Sequence, residues 1–253
     1  MRVWFASLAL VSLVTVPGAS SARSDVAAAQ RVLFIGNSLT TANNLPGLVE
    51  AMSVSIGAPL RCEKVAFDGF SLEDHWNEGS ARRAIAKGGW SVVVLQQGPS
   101  ALPASRVNLI EYTRRFDAEI RRAGPSTPLG AGARTALFMV WPASARRSDF
   151  DGVNASYAAA EQAVGGLFLP AGEAWRTLWR LDTRIALYGP DGFHPTASAS
   201  YLAALVITRR LTGRSIEQVP AAIAPAGQPA SRLVIPDGAA AIMKRAAAET
   251  TIS

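Results

Sequence analysis

Two uninterrupted apolar runs, Val32-Leu33-Phe34-Ile35 and Val92-Val93-Val94-Leu95, restrict this chain more than any other feature of its sequence. Four branched or aromatic residues in a row, with no polar alternation, leave no face for water, so each run suits a strand covered on both sides. Such strands are parallel and need helical crossovers to join them. Strand-like stretches at 60–67, 135–141 and 166–169 bring the set to five, and helical stretches fall between them at 72–87, 105–122 and 152–164. Two more helices are expected at 171–187 and 196–211. The class this predicts is α/β, a three-layer α/β/α sandwich on a five-stranded parallel sheet.

The chain has 253 residues, and its N-terminus reads as a targeting segment. Arg2 gives a positive start, 3–16 an apolar stretch, and Ser20-Ser21-Ala22 a small-residue cleavage site, so 1–22 is expected to be a signal peptide. That stretch is too short for an ordinary membrane span, and no stable span is expected once it is removed. Export to a periplasmic or extracellular space follows. One domain is expected over 23–215. A C-terminal extension, 216–253, would carry a proline-rich segment at 220–236 and a short helix at 239–248 docked on that same domain.

Cys62 is the only cysteine, so no internal disulfide can form, and it reads as a small buried hydrophobe. The net charge of +6 comes largely from arginines in scattered pairs such as Arg114-Arg115 and Arg209-Arg210. Dispersed charge of this kind suits solvated helix faces and argues against a nucleic-acid partner. Nothing in the sequence specifies an oligomeric state.

Two polar loops carry the candidate chemistry. In Arg31 to Thr41, RVLFIGNSLTT, Ser38 follows the first strand at the start of a helix, with Asn43, Asn44 and Pro46 as helix-start signals. A serine at the carboxyl end of a strand in an open α/β sheet sits where such sheets bind ligands, and its N–H can face an anion. The second loop, Tyr188 to Pro195, reads YGPDGFHP and holds one of only two histidines. A serine nucleophile needs a base and an acid that orients the base. Asp191 and His194 can meet on one tight turn, so Ser38, His194 and Asp191 form the candidate set. His75 lies beside Glu73 and Asp74, which point to other helix faces, so no metal site or cofactor is expected and His75 is structural or rim-lining. Trp141 is expected in the cleft or in packing, and Trp76, Trp90, Trp175 and Trp179 in the core or at its edges.

With these motifs the sequence resembles the SGNH hydrolases, or GDSL esterases. Gly36-Asn37-Ser38-Leu39 is similar to that family's first block, Gly-Asp-Ser-Leu, with Asn for Asp, and Asp191-Gly192-Phe193-His194-Pro195 matches its last, Asp-x-x-His-Pro. Gly69, in Asp68-Gly69-Phe70-Ser71-Leu72, is similar in position to its second-block glycine. The resemblance implies a flavodoxin-like SGNH hydrolase fold, with Ser38 as nucleophile, His194 as base, Asp191 as orienting acid, and the Ser38 and Gly69 N–H groups as oxyanion donors. The third block departs from Gly-x-Asn-Asp: Gln96-Gln97-Gly98-Pro99-Ser100 stands there, so Gln96 or Gln97 would supply the side-chain donor, with Ser100 the less favoured choice. A Gly-x-Ser-x-Gly elbow is excluded because the fifth residue is Thr40. The expected function is an exported serine esterase working through an acyl-enzyme on an acyl ester, for instance an acetylated carbohydrate. The alternative is a non-catalytic carbohydrate-binding protein of the same fold, motivated by the glutamine in the oxyanion block.

Overall fold

The computed structural model describes residues 29–124 and 132–251, together with Met1 and Val3. The segment 4–22 of the expected signal peptide, with Arg2, therefore lies outside the described residues. Five strands, β1 (Gln30–Gly36), β2 (Leu60–Ala66), β3 (Val92–Leu95), β4 (Arg134–Phe138) and β5 (Leu167–Leu169), pair in parallel in the order β2-β1-β3-β4-β5. The two apolar runs of the sequence are neighbours in this sheet, Val32 opposite Val92 and Ile35 opposite Leu95, and every side chain in them is buried. At the β2 edge, Arg61, Glu63 and Lys64 are exposed, and charge on an edge strand discourages pairing with another chain.

Helices cover both faces. On one side α2 (Leu45–Ser55) packs on α8 (Ala197–Thr212), which also meets α7 (Ala171–Leu181) and α9 (Asp237–Glu249). On the other, α5 (Pro103–Arg122) packs on α3 (Leu72–Glu78), α4 (Ser80–Ala86) and α6 (Phe150–Gln162). One further helical turn, α1 (Ser38–Thr41), follows β1 directly. The chain reverses direction across the sheet between β1 and β3, the switch point where open α/β sheets hold ligands, and α1 starts there.

Several boundaries differ from the sequence expectation for local reasons. The single helix expected at 72–87 is broken into α3 and α4 at Gly79, which takes a left-handed φ of 88° as a C-cap. The helix expected to reach 187 stops at Leu181, because the Asp182 carboxylate accepts the Arg184 N–H and binds its guanidinium in a turn. The fourth strand ends at Phe138 instead of 141, although the Met139 N–H still donates to Leu169 O. Within the proline-rich stretch, β6 (Ala222–Ile223) and β7 (Leu233–Val234) form a two-stranded antiparallel pair. Among the described residues no helix is long and apolar enough to cross a membrane.

Candidate active site

The turn that presents Ser38 is shaped by close packing. At Gly36 an added Cβ would collide with the side-chain oxygens of Gln96 and Thr40, so glycine is required by space, not by a left-handed φ. Asn37 caps α1 by accepting the Leu39 N–H on Oδ1 at 3.1 Å. Ser38 is then the first helical residue, whose N–H has no intrahelical acceptor.

The histidine loop is fixed from the end of β4. Trp141, buried and stacked on Trp175 at 3.9 Å between ring centres, donates its indole N–H to Phe193 O at 3.0 Å. The Tyr188 hydroxyl donates to Pro142 O at 2.8 Å, and the Ser144 N–H donates to Gly192 O at 2.7 Å. Inside the loop the Gly189 N–H closes on His194 O at 2.7 Å, and Gly192 takes a φ of 70° that favours glycine. Trp141 thus packs and anchors instead of lining a cleft. Trp175 is also buried, while Trp76 and Trp179 sit at the core edge beneath the Arg82 and Arg147 guanidinium groups, and Trp90 is buried.

These two supports bring the candidate residues together across 156 positions of sequence. His194 Nε2 is 2.9 Å from Ser38 Oγ, and His194 Nδ1 is 2.5 Å from Asp191 Oδ2. The other Asp191 oxygen accepts the backbone N–H groups of Phe193 and His194, each at 3.0 Å. The His194 bond, followed by those two N–H groups, holds the Asp191 carboxyl down at about 2, so it is ionised across the physiological range. With the carboxylate accepting from Nδ1–H, Nε2 is left as the acceptor for the serine hydroxyl, an arrangement able to withdraw that proton.

The expected anion-binding groups differ in how far their hydrogen bonds are already committed. Gly69 sits in the turn after β2 with a φ of 75°. Its neighbour Phe70 offers its carbonyl to Asn37 Nδ2 at 3.0 Å. Gln96 is wholly buried, and its Nε2 donates to Asn37 Oδ1 at 2.9 Å and Gln97 O at 2.6 Å, so both amide hydrogens are committed inside the protein. Gln97 accepts the Leu72 N–H on Oε1 at 3.0 Å and donates from Nε2 to Ser100 Oγ at 2.9 Å. Ser100, at a positive φ of 60°, gives its own hydroxyl hydrogen to Gly98 O.

One contributor escaped the sequence, and for another only the structural of its two expected placements holds. Asn43, read there only as helix punctuation, reaches with Nδ2 to Ser200 Oγ at 2.9 Å and to Pro195 O and Thr196 O at 3.3 Å each, tying the serine turn to the histidine loop. Its φ of 51°, a left-handed conformation Asn tolerates, leaves no mark in the sequence beyond the residue type. His75 is fully buried, away from any rim, with Nε2 2.7 Å from Gly36 O and Phe67 and Phe70 against its ring. Its acidic neighbours point elsewhere, Glu73 to Asn108 and Tyr112 and Asp74 to Ser71. Beside the site, a cavity of about 270 Å³ lies between Ser100, Leu102, Pro142, Ala143, Arg146 and Phe193.

Neither a scan against protein-family models nor a search of curated proteins returns a match for the sequence. Solved structures do match. A candidate SGNH hydrolase from Slackia heliotrinireducens is 25% identical over 72% of this chain and 99% of its own, with a TM-score of 0.57. A DUF4886 family protein from Bacteroides uniformis is 17% identical over 87% and 93%, with a TM-score of 0.69. A lipase/acylhydrolase from Enterococcus faecalis is 16% identical over 73% and 96%, with a TM-score of 0.55. At this identity the likeness is one of architecture, and the chain has the five-stranded α/β/α fold of SGNH hydrolase structures.

Proposed function

We propose that the chain is an exported serine esterase that cleaves a short acyl ester, with an acetylated carbohydrate as the expected substrate. The observation that carries this reading is the relay from Ser38 Oγ through His194 to Asp191, at 2.9 and 2.5 Å, at the switch point of the sheet. Ser38 Oγ attacks the ester carbonyl while His194 Nε2 takes its proton. The resulting oxyanion is held by the Ser38 and Gly69 N–H groups. Gln97 is the third donor in this reading, because its Nε2 carries a second hydrogen beyond the one on Ser100, whereas Gln96 has spent both. Collapse expels the alcohol, protonated by His194, and leaves Ser38 acylated. A water molecule, deprotonated by the same imidazole, then releases the acid and restores the serine. Export rests on the residue pattern of 1–22.

A fluorophosphonate probe with peptide mapping, run beside p-nitrophenyl acetate turnover, tests the reading. Label on Ser38, and turnover that Ser38→Ala lowers by roughly a thousandfold or more, are expected. No label on folded protein, with acetylated polysaccharide bound and hydrolysis at background, would instead favour the non-catalytic carbohydrate-binding alternative.

A further inference from the structure

We infer that the side chains of Asn37 and Gln96 act as one positioning unit that sets the Ser38 turn against the Gly69 turn. Gln96 reaches Asn37 because β1 and β3 are paired, its own N–H donating to Ile35 O at 2.9 Å. Gln96 Oε1 accepts the Asn37 backbone N–H at 2.9 Å and the Thr40 hydroxyl at 2.6 Å, and Nε2 donates back to Asn37 Oδ1 at 2.9 Å. The two amides cannot be exchanged end for end. Backbone N–H groups of Asn37 and Leu39 can only donate, so they fix Gln96 Oε1 and Asn37 Oδ1 as the facing oxygens. Asn37 Nδ2 is thereby aimed at Phe70 O, at 3.0 Å, one residue beyond Gly69.

Each residue therefore dictates the other's chemistry. An aspartate at 37 would put an acceptor against the Phe70 carbonyl, and a glutamate at 96 would put one against Asn37 Oδ1 and Gln97 O. The Asn for Asp in the first block and the Gln in the third are one matched departure from the family pattern, and the buried Thr40 hydroxyl bonds to the same Gln96 oxygen. A buried amide pair in which every nitrogen and oxygen is hydrogen-bonded has a single arrangement, and a single arrangement is what two oxyanion donors on separate loops need.

The kinetic arm of the test rests on the esterase reading. Gln96→Met keeps the side-chain volume without hydrogen bonds, and Asn37→Ser keeps a capping hydroxyl too short to reach Gln96 or Phe70. Each is expected to lower kcat for p-nitrophenyl acetate by about 10- to 100-fold with KM changed less than about threefold, and the double variant to be no worse than the worse single. Losses that multiply, or either single at wild-type kcat, would overturn the unit. If Gln96→Met does not fold, Gln96→Glu keeps the acceptor for Asn37 and Thr40 and reverses only the Nε2 half, with the same loss expected. Should the wild type itself turn over no ester, the esterase reading falls and amide exchange decides separately. A residue-37 amide that is slow in the wild type and fast in Gln96→Met, which removes its acceptor, supports the pair, and unchanged exchange refutes it.

Discussion

Beneath the Ser38 turn, His75 spends one ring nitrogen on the Gly36 carbonyl and leaves the other, Nδ1, buried with no hydrogen-bond partner among the described residues. Burial lowers its pKa from the ordinary histidine range, against opposing contributions from the Gly36 bond and the charges of Glu78 and Asp74. The folded protein consequently binds fewer protons at this site than the unfolded chain does, and stability falls as pH drops below about 6.5, where the unfolded imidazole begins to charge. His75→Gln keeps a donor for Gly36 O and cannot titrate. Urea midpoints taken from pH 7.5 to 5.5 should slope downward in the wild type and be flatter in the variant, and equal slopes would show that His75 is not the source. At Asp191 the sense is the same but the window is lower: its carboxyl stays ionised over this range, folded or unfolded, so it adds nothing to that slope.

Among the elements, the contact between α8 and the 3-10 turn Ala42–Asn44 that follows α1 rests on one asparagine. Asn43 does two separable things: it accepts a left-handed φ of 51°, and its side chain bonds to Pro195, Thr196 and Ser200. Asn43→Gly keeps the conformation and loses the bonds, so kcat should fall about tenfold through a looser histidine loop while the melting temperature changes little. Asn43→Ala should add a stability loss of about 1–2 kcal/mol from the left-handed backbone. Wild-type kcat in Asn43→Gly would mean that the loop is held entirely from the β4 side. The same comparison shows why part of the site was readable beforehand. Val32–Ile35 and Val92–Leu95 announce buried strands through local composition, and Ser38, Asp191 and His194 stand out because only two histidines exist to choose from. Asn43 and Ser200 are 157 residues apart, and Gln96 meets Asn37 only through the β1–β3 register, so no local pattern could expose either bond. Gly79 was hidden differently, since one glycine between two helical patterns can end a helix or sit inside one.

For the molecule as a whole, the arginine pairs do little to hold it together. Pairs such as Arg115 with Glu111 and Arg121 with Asp117 lie on the exposed side of α5, where such contacts contribute about 0–1 kcal/mol each. More of the cohesion at the C-terminal end comes from α9, which buries Ala240, Met243, Ala246 and Ala247 and touches both α7 and α8. Those two helices flank the loop that carries Asp191 and His194, which places α9 one layer away from the chemistry. The loop's own bonds run elsewhere, however: to Trp141, Pro142 and Ser144 after β4, and through Thr196, whose N–H donates to Leu187 O and whose hydroxyl donates to Ala186 O. Met243→Ala should therefore cost about 2–5 kcal/mol of unfolding free energy by leaving a cavity at a fully buried site. At a temperature well below its transition, the same variant should keep the wild-type kcat. Urea denaturation and p-nitrophenyl acetate turnover on one preparation separate the two quantities, and a kcat that fell in step with stability would show that α9 holds the histidine loop through α7 and α8.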